Sequence, residues 1–290
     1  MLFVGILIFG FNFNLITEVI GLIEFFNAII LGIVQGITEW LPVSSTGHMI
    51  LVDEFIKMNM TDEFMSVFFV VIQFGSILAV LTIYFKKLNP FDSSKSNIQK
   101  KDTIDLWIKV IIAIIPSGVI GILFEDTIDE LFFNPTTVAI ALIAYGIAMI
   151  FIEGKNNKPK VNDFSQMTYK LALGIGLFQC LALIPGTSRS GSTIIGAVLL
   201  GSSRFVAAEF SFFMAVPTML GASALKLLGA GFGFNNFEWF ILFTGSFIAF
   251  IVSLFAIKFL MDYIKKHDFK VFGYYRIVLG IIVLGYFYMF

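Results

Sequence analysis

The feature that most constrains this chain is a series of apolar stretches, several of which carry no charged residue or only one. Each is about 20 residues long, enough for a helix to cross a hydrocarbon core of about 30 Å. Only 13% of the 290 residues are charged, against about 25% in soluble domains. A chain this apolar cannot hide its surface from water. The sequence therefore predicts an all-α polytopic membrane protein whose outer surface contacts lipid.

Charge and cysteine content exclude several classes of protein. The formal net charge is −1 and no basic stripe with interleaved aromatic residues is present, which argues against nucleic acid as a partner. Cys180 is the single cysteine, so an intramolecular disulfide and a cysteine-rich zinc site are excluded. Residues 1–13 are apolar but lack a basic start and a small-residue cleavage site. We expect them to be a retained lead-in rather than a signal peptide.

The basic residues predict the topology. Lys and Arg gather in residues 86–109, 155–170 and 265–276, and the positive-inside rule places such loops in the cytoplasm. Residues 125–133 and 230–238 hold neither Lys nor Arg and are expected to face the outside. Six transmembrane spans follow from this arrangement, at roughly 64–85, 109–124, 135–152, 208–228, 238–260 and 273–290.

Two apolar stretches remain, 22–52 and 169–201, and each is interrupted at its centre by Pro, Gly, Ser and Thr. To keep the basic loops on one side, each stretch must return to the face it entered from. We therefore predict two re-entrant helix pairs. Interrupted backbone at membrane depth persists only where protein or a watery cavity satisfies its polar groups. Such tips in corresponding positions of two halves point to a binding site.

The two halves of the chain correspond in sequence. Residues 41–45, LPVSS, resemble residues 184–188, IPGTS. Each half contains one re-entrant pair and three spans, and this odd number makes the second half enter the membrane upside down. We predict a single membrane domain, 1–290, built from inverted-topology repeats at 18–154 and 165–290. The two re-entrant tips should then meet near the midplane.

The first motif, residues 35–48, reads QGITEWLPVSSTGH. Gln35 and Glu39 are four residues apart and share one face of a helix. An ionisable group inside a membrane points to function, so Glu39 could hold a divalent cation or act as a base, and His48 could exchange protons. Alternatively, the three hydroxyl residues 44–46 only cap the following helix.

The second motif, residues 185–193, reads PGTSRSGST. Small residues let backbone approach a ligand, and the free amides of a helix start bind anions. Arg189 adds a planar cation that can grip two phosphate oxygens. Alternatively, Arg189 pairs with an acid such as Glu39 or Glu209. The candidate substrate-binding residues of the two motifs are Ser44, Thr46, Gly186, Thr187, Ser188, Ser190 and Thr193.

These motifs resemble the signatures of the bacterial undecaprenyl-pyrophosphate phosphatases of the bacitracin-resistance type. The family pattern [Glu/Gln]-x3-Glu running into PVSSTGH is present, and so is PGxSRSxxT. The resemblance implies an enzyme of the bacterial plasma membrane that removes one phosphate from a C55 polyprenyl diphosphate at the outer leaflet. That reaction regenerates the lipid carrier of cell-wall synthesis and confers bacitracin resistance. The resemblance also implies dependence on Mg²⁺ or Ca²⁺ and a frequently homodimeric state.

Position by position, the resemblance assigns functional roles within both motifs. Gln35 and Glu39 would hold the metal, although many relatives carry Glu at the first position, which weakens any scheme in which two carboxylates share the cation. Family functional residues also fall on Ser188 and Thr193. The catalytic residues would be Glu39, Ser45, His48 and Arg189.

Two questions stay open at the level of sequence. Ser45 could be a nucleophile with His48 as its base or as the leaving-group acid, or Glu39 or His48 could activate a water. The chain could also be a transporter of an anionic or lipid-phosphate substrate, because inverted repeats with interrupted helices are common in transporters. A pure carrier has less need of the Glu39, Ser45 and His48 cluster.

Overall fold

The computed structural model describes the backbone of residues 2–132, 134–155, 158–231 and 233–289. The described residues form helices, with no strand beyond one isolated bridge between Val161 and Ser202. The α-helices are α1 Leu2–Thr38, α2 Ser45–Ile56, α3 Asp62–Ile83, α4 Phe85–Leu88, α5 Asn97–Phe132, α6 Pro135–Gly154, α7 Tyr169–Cys180, α8 Arg189–Leu199, α9 Arg204–Ala230, α10 Asn236–Tyr263 and α11 Lys270–Met289.

Seven helices in the described part of the chain are long and apolar enough to span a membrane, so the chain is a multi-pass membrane protein. Six of them, α3, α5, α6, α9, α10 and α11, confirm the predicted spans. The seventh is α1, whose window Val19–Thr38 was assigned to the first arm of a re-entrant pair. It reaches spanning length because the helix runs without a break from Val19 through that arm to Thr38.

Three loop predictions are wrong at their edges. Residues 125–132 belong to α5 instead of an outer loop. Lys109 also lies within α5, where its Nζ contacts an Asp105 carboxylate oxygen at 2.6 Å and donates to the Phe164 carbonyl at 3.0 Å. These partners allow a buried ammonium inside a helix. Residues 270–276 begin α11, so the third basic loop is short.

Each of the two interrupted stretches turns at a proline and starts a new helix at a serine. Ser44 and Ser188 both have φ of 73°, which is uncommon for residues other than glycine. The Ser44 hydroxyl accepts a hydrogen bond from the Gly47 amide at 3.3 Å, and the Ser188 hydroxyl accepts one from Gly191 at 3.1 Å. Ser44 therefore caps the following helix, and its role in substrate binding stays a prediction. By cap geometry Ser188 corresponds to Ser44, whereas the sequence comparison paired it with Ser45.

Helices of the two halves pack against one another through small residues. α1 packs on α10 and α7 packs on α5, while α3 contacts α9 and α6 contacts α11. A Cβ on Gly36 of α1 would lie 2.8 Å from the Ala249 carbonyl oxygen, and one on Gly176 of α7 would lie 2.0 Å from that of Ala113. These glycines bring the backbones of facing helices into contact, as expected for membrane helices.

We expect Gly75→Ala to destabilise the protein, because a Cβ there would lie 2.0 Å from the Ser246 carbonyl oxygen on α10. Overpacking of this kind costs about 1–3 kcal/mol. Thermal unfolding in detergent measures the effect. Gly118→Ala in α5 is the matched control, because nothing lies within 4 Å of its Cβ position. Equal midpoints for the two variants would contradict the close approach of α3 to α10.

Candidate active site

Glu39 accepts hydrogen bonds from both motifs. The residue is 4% exposed and follows the last residue of α1. Its Oε1 accepts from Arg189 Nη2 at 2.9 Å. Its Oε2 accepts from Gln35 Nε2 at 2.8 Å and from Ser45 Oγ at 3.1 Å. The acid of the first motif and the guanidinium of the second therefore form one buried ion pair, beside a hydroxyl that can react.

Arg189 begins α8 and is held from two sides. While Nη2 faces Glu39, Nη1 donates to the Ser211 carbonyl at 2.7 Å and lies 3.3 Å from its hydroxyl. Thr193 donates to the same Ser211 hydroxyl at 2.7 Å. The Trp40 ring lies 5.6 Å from the guanidinium carbon, within cation–π range. Ser211 was missed from the sequence; the only signal for it was a serine within an apolar span.

The other residues of the second motif mainly shape the two turns. Ser190 Oγ donates to the Glu39 carbonyl at 3.1 Å, which ties α8 to the first turn. Thr187 Oγ1 donates to carbonyls of its own turn at 2.9 Å. Gly186 has φ of 92°, and a Cβ there would lie 2.5 Å from the Val138 carbonyl oxygen. The absence of a side chain at Gly186 therefore allows the turn to pack directly against the backbone of α6. Thr46 is half-buried.

His48 has a partner at each ring nitrogen. Nδ1 lies 2.7 Å from the Ser44 carbonyl oxygen and Nε2 lies 2.6 Å from the Tyr275 hydroxyl. The two rings stack, with centroids 5.5 Å apart. Because a carbonyl can only accept, Nδ1 carries the proton, and Nε2 of a neutral ring accepts from Tyr275. The hydrogen-bond acceptor of Ser45 is Glu39, so the geometry favours Glu39 over His48 as the group that takes its proton.

The donor set around Glu39 suits a cation shared with a ligand rather than a closed metal cage. Carboxylate, amide and hydroxyl oxygens are donors that Mg²⁺ and Ca²⁺ prefer. Among the described residues, however, no group of three or more Asp, Glu, His or Cys side chains could hold a metal. Gln35 turns its amide nitrogen to Glu39, and both carboxylate oxygens accept hydrogen bonds. One carboxylate is enough where substrate phosphates supply further oxygens.

A third basic residue of the site lies outside both motifs. Arg276 is 0% exposed and lies in α11. Its Nη1 donates to the Pro42 carbonyl at 3.3 Å, and Nη2 donates to Gly186 and Thr187 carbonyls at 2.8 and 3.0 Å. The expectation that residues 265–276 form a cytoplasmic loop is wrong for Arg276, because α11 places it where the carbonyls of the two turns satisfy a buried guanidinium. One arginine within an apolar run was the available signal.

Two other ion pairs, each with a buried carboxylate and a partly exposed cation, lie at the start of α9 and do not include residues of the motifs. Arg204 donates through Nε to both carboxylate oxygens of Glu153 at 3.0 Å. Glu209 pairs with Lys87 at 2.5 Å. The alternative pairing of Arg189 with Glu209 is therefore wrong. Its expected pairing with Glu39 is observed.

The chain is similar to one family of known proteins. Residues 28–282 match the family model described as bacitracin resistance protein BacA. The chain is 76% identical over 272 residues to undecaprenyl-diphosphatase 1 of Clostridioides difficile. The matched region covers 94% of this chain and 99% of the relative. It is 61% identical over 269 residues to the undecaprenyl-diphosphatase of Desulfitobacterium hafniense, covering 92% and 97%. It is 58% identical over 265 residues to that of Enterococcus faecalis, covering 90% and 96%.

Proposed function

This chain belongs to the bacitracin resistance protein BacA family, and from that membership we propose that it hydrolyses undecaprenyl diphosphate to undecaprenyl phosphate and inorganic phosphate. The reaction recycles the lipid carrier of cell-wall synthesis and confers bacitracin resistance. The observation that carries the proposal is the contact of Glu39 with both Arg189 and Ser45. It joins a phosphate-binding cation, a general base and a hydroxyl in one buried site.

The proposed architecture is an inverted repeat with two re-entrant helix pairs whose tips form the site. The equal cap geometry of Ser44 and Ser188 supports it. The packing between the halves also supports it: α1 of the first half packs on α10 of the second half, and α7 of the second half packs on α5 of the first. The protein would lie in the bacterial plasma membrane, with the site open to the outer leaflet and the polyprenyl tail between helices in lipid. Two copies would form a homodimer.

Arg189 and the first amides of α8 would bind the phosphates. A guanidinium binds two phosphate oxygens at once, and the first amides of a helix attract anions. Arg189 would exchange its contact with Glu39 for the diphosphate. Glu39 and Gln35 are the residues that would hold Mg²⁺ or Ca²⁺ together with phosphate oxygens, and the cation would neutralise phosphate charge. Charge stabilisation and positioning carry most of the catalysis in phosphoryl transfer.

Ser45 is the proposed nucleophile. Its Oγ would bond to the terminal phosphorus as the anhydride bond to undecaprenyl phosphate breaks, and its proton would pass to Glu39, 3.1 Å away. A water oxygen would then bond to the phosphorus as the bond to Ser45 Oγ breaks, the proton on Glu39 would return to Ser45 Oγ, and inorganic phosphate would leave. In the alternative route Glu39 accepts a proton from a water that attacks the terminal phosphorus directly as the anhydride bond to undecaprenyl phosphate breaks. His48 would act as the leaving-group acid in its doubly protonated form, in which Nε2 donates to the departing phosphate oxygen instead of accepting from Tyr275.

Ser45→Ala is expected to lower turnover by about a hundredfold, because it removes the attacking oxygen and leaves only slower attack by water. Phosphate release by the purified variant measures the loss, and acid quenching of the native protein should trap phosphoserine at this position. Ser94→Ala, in the exposed loop after α4, is the matched control. Undiminished turnover of Ser45→Ala would eliminate the covalent route and leave the water route.

Tyr275→Phe is expected to lower kcat/KM by about 3- to 10-fold, the range for loss of one hydrogen bond of about 1 kcal/mol. The ring and its stacking on His48 remain, so the variant isolates the bond from the hydroxyl to Nε2. Tyr274→Phe, at the exposed neighbouring position, is the control. Identical kinetics for the two variants would show that the Tyr275 hydroxyl does not assist His48.

The proposed activity is tested with purified protein in detergent, undecaprenyl diphosphate and Mg²⁺ or Ca²⁺, with free phosphate as the readout. Release above a protein-free control, and its loss in Glu39→Ala, are expected. A parallel sample in liposomes, with the lipid diphosphate in one leaflet, reports transport. Transfer between leaflets without phosphate release would favour the transporter alternative and refute the phosphatase.

A further inference from the structure

Arg276 is a buried cation without a carboxylate partner in the described part of the chain. Its side chain is fully buried, its Nε has no hydrogen-bond acceptor, and its other nitrogens contact backbone carbonyls. The Tyr145 ring lies 5.6 Å from its guanidinium carbon. By contrast, the buried guanidinium of Arg189 pairs with Glu39, and the partly exposed guanidinium of Arg204 pairs with Glu153. A charge buried at such cost needs a compensating benefit.

The hydrogen bonds of Arg276 connect the two interrupted turns. Nη1 reaches the carbonyl of Pro42, in the turn before α2, and Nη2 reaches two carbonyls in the turn before α8. The guanidinium also lies directly behind the first turn of α8, because a Cβ on Gly191 would come within 3.3 Å of Nη1. One planar side chain therefore fixes the separation of the segments that carry Ser45 and Arg189.

The position also matters electrostatically. The N-terminal ends of α2 and α8 start at these turns, and each helix start carries a partial positive charge. Arg276 adds a full positive charge that no carboxylate of the described residues cancels. In a medium of low dielectric constant such a charge acts over several ångströms. The combined field favours a ligand with several negative charges in front of the two helix starts.

We propose that Arg276 is a positioning residue for the diphosphate site: it holds the two turns in register and supplies the uncompensated positive charge behind them. The inference rests on the proposed function for its substrate. The geometry of the turns and the burial of the guanidinium come from the structure alone. Arg276 does not touch the substrate, so its effect is transmitted through the two turns and through the field.

Arg276→Met and Arg276→Lys test the proposal, with Arg204→Gln as the control for loss of a partly exposed, ion-paired arginine outside the site. For each purified variant we would measure the thermal midpoint in detergent, kcat and KM for undecaprenyl diphosphate, and the Kd for inorganic pyrophosphate by calorimetry. Pyrophosphate binding does not require turnover. All assays are run well below the midpoint, on the folded fraction.

Arg276→Met should raise the Kd for pyrophosphate about tenfold, because a nearby charge is lost. It should lower kcat about a hundredfold, because a shift of about 1 Å between reacting groups has that effect. Arg276→Lys should keep the Kd within about threefold of wild type but lower kcat about tenfold, since one ammonium cannot reach both turns. Arg204→Gln should lower the midpoint and leave kcat and Kd unchanged.

Wild-type Kd and kcat in folded Arg276→Met would overturn the proposal, as would losses of equal size in Arg204→Gln. If Arg276→Met does not fold, Arg276→Lys decides: reduced kcat with retained pyrophosphate binding supports the positioning role, and wild-type kcat refutes it. If the wild type binds pyrophosphate but releases no phosphate, the proposed function fails. The inference is then judged on the pyrophosphate Kd of Arg276→Met against Arg204→Gln.

Discussion

Glu39→Gln is expected to lower turnover by about a thousandfold or more, the upper part of the range for loss of a general base. Glutamine keeps the size of the side chain and can still accept a hydrogen bond from Arg189. It cannot take a proton from Ser45 at neutral pH, and it does not neutralise the guanidinium at 2.9 Å. Phosphate release from undecaprenyl diphosphate by the purified variant measures the loss.

Stability must be followed in the same experiment, because leaving the Arg189 charge unpaired costs about 3–5 kcal/mol. Glu39→Asp separates the loss of the base from the loss of the ion pair. It keeps the negative charge beside Arg189 but moves the carboxylate away from Ser45. We therefore expect activity between that of Glu39→Gln and wild type, and a smaller shift in the thermal midpoint. Glu63→Gln, an exposed acid in the first turn of α3, is the matched control and should behave as wild type. Retention of more than about a tenth of wild-type turnover by folded Glu39→Gln would contradict the assignment of Glu39 as the base.

Arg189→Lys is expected to lower kcat/KM by about a hundred- to a thousandfold, similar to removal of a donor that stabilises transition-state charge. The charge is conserved, but the geometry is not. Arg189 contacts Glu39 through one terminal nitrogen and Ser211 through the other, at 2.9 and 2.7 Å. A single ammonium lacks the planar fork that serves both directions and that grips two phosphate oxygens.

The control for this substitution is Arg204→Lys, which alters an ion pair with Glu153 at the start of α9. We expect it to lower the thermal midpoint slightly and to leave kcat/KM unchanged. Measuring KM and kcat separately adds information, because loss of ground-state phosphate binding raises KM whereas loss of transition-state contacts lowers kcat. Near-wild-type kcat/KM for Arg189→Lys would show that charge alone, without the fork, is enough at this position.

Hydropathy and charge predicted much of the fold, because a lipid environment leaves few alternatives to helices of a fixed minimum length. The six predicted spans are present, and the interrupted stretches turn at Pro42 and Pro185 as their sequences suggest. The length of α1 was underestimated, since apolar residues before a motif do not mark where a helix begins. The register between halves was shifted by one, because a cap is defined by backbone dihedral angles and hydrogen bonds rather than by residue type.

The contact of Glu39 with Arg189 was predicted from two motifs that the proposed inverted repeats would bring together, since buried opposite charges need partners. Ser211, Tyr275 and Arg276 were not predicted. They lie outside the motifs, on α9 and α11, and become neighbours of the site only through helix packing. Arg276 was assigned to a cytoplasmic loop by the positive-inside rule, which infers the side of the membrane from where basic residues lie along the chain. The rule cannot detect a cation that the protein itself solvates.

The placement of Tyr275 and Arg276 on the final helix has a consequence for biosynthesis. Both sequence motifs leave the ribosome long before α11, and a nascent chain could already bring Glu39 and Arg189 together. His48 would still lack its tyrosine, and the carbonyls of the two turns would lack their shared donor. Chains that end early by about twenty residues, the length of one membrane-crossing helix, would thus keep every motif residue and still carry an unfinished site. We therefore expect a complete site only after α11 has been inserted.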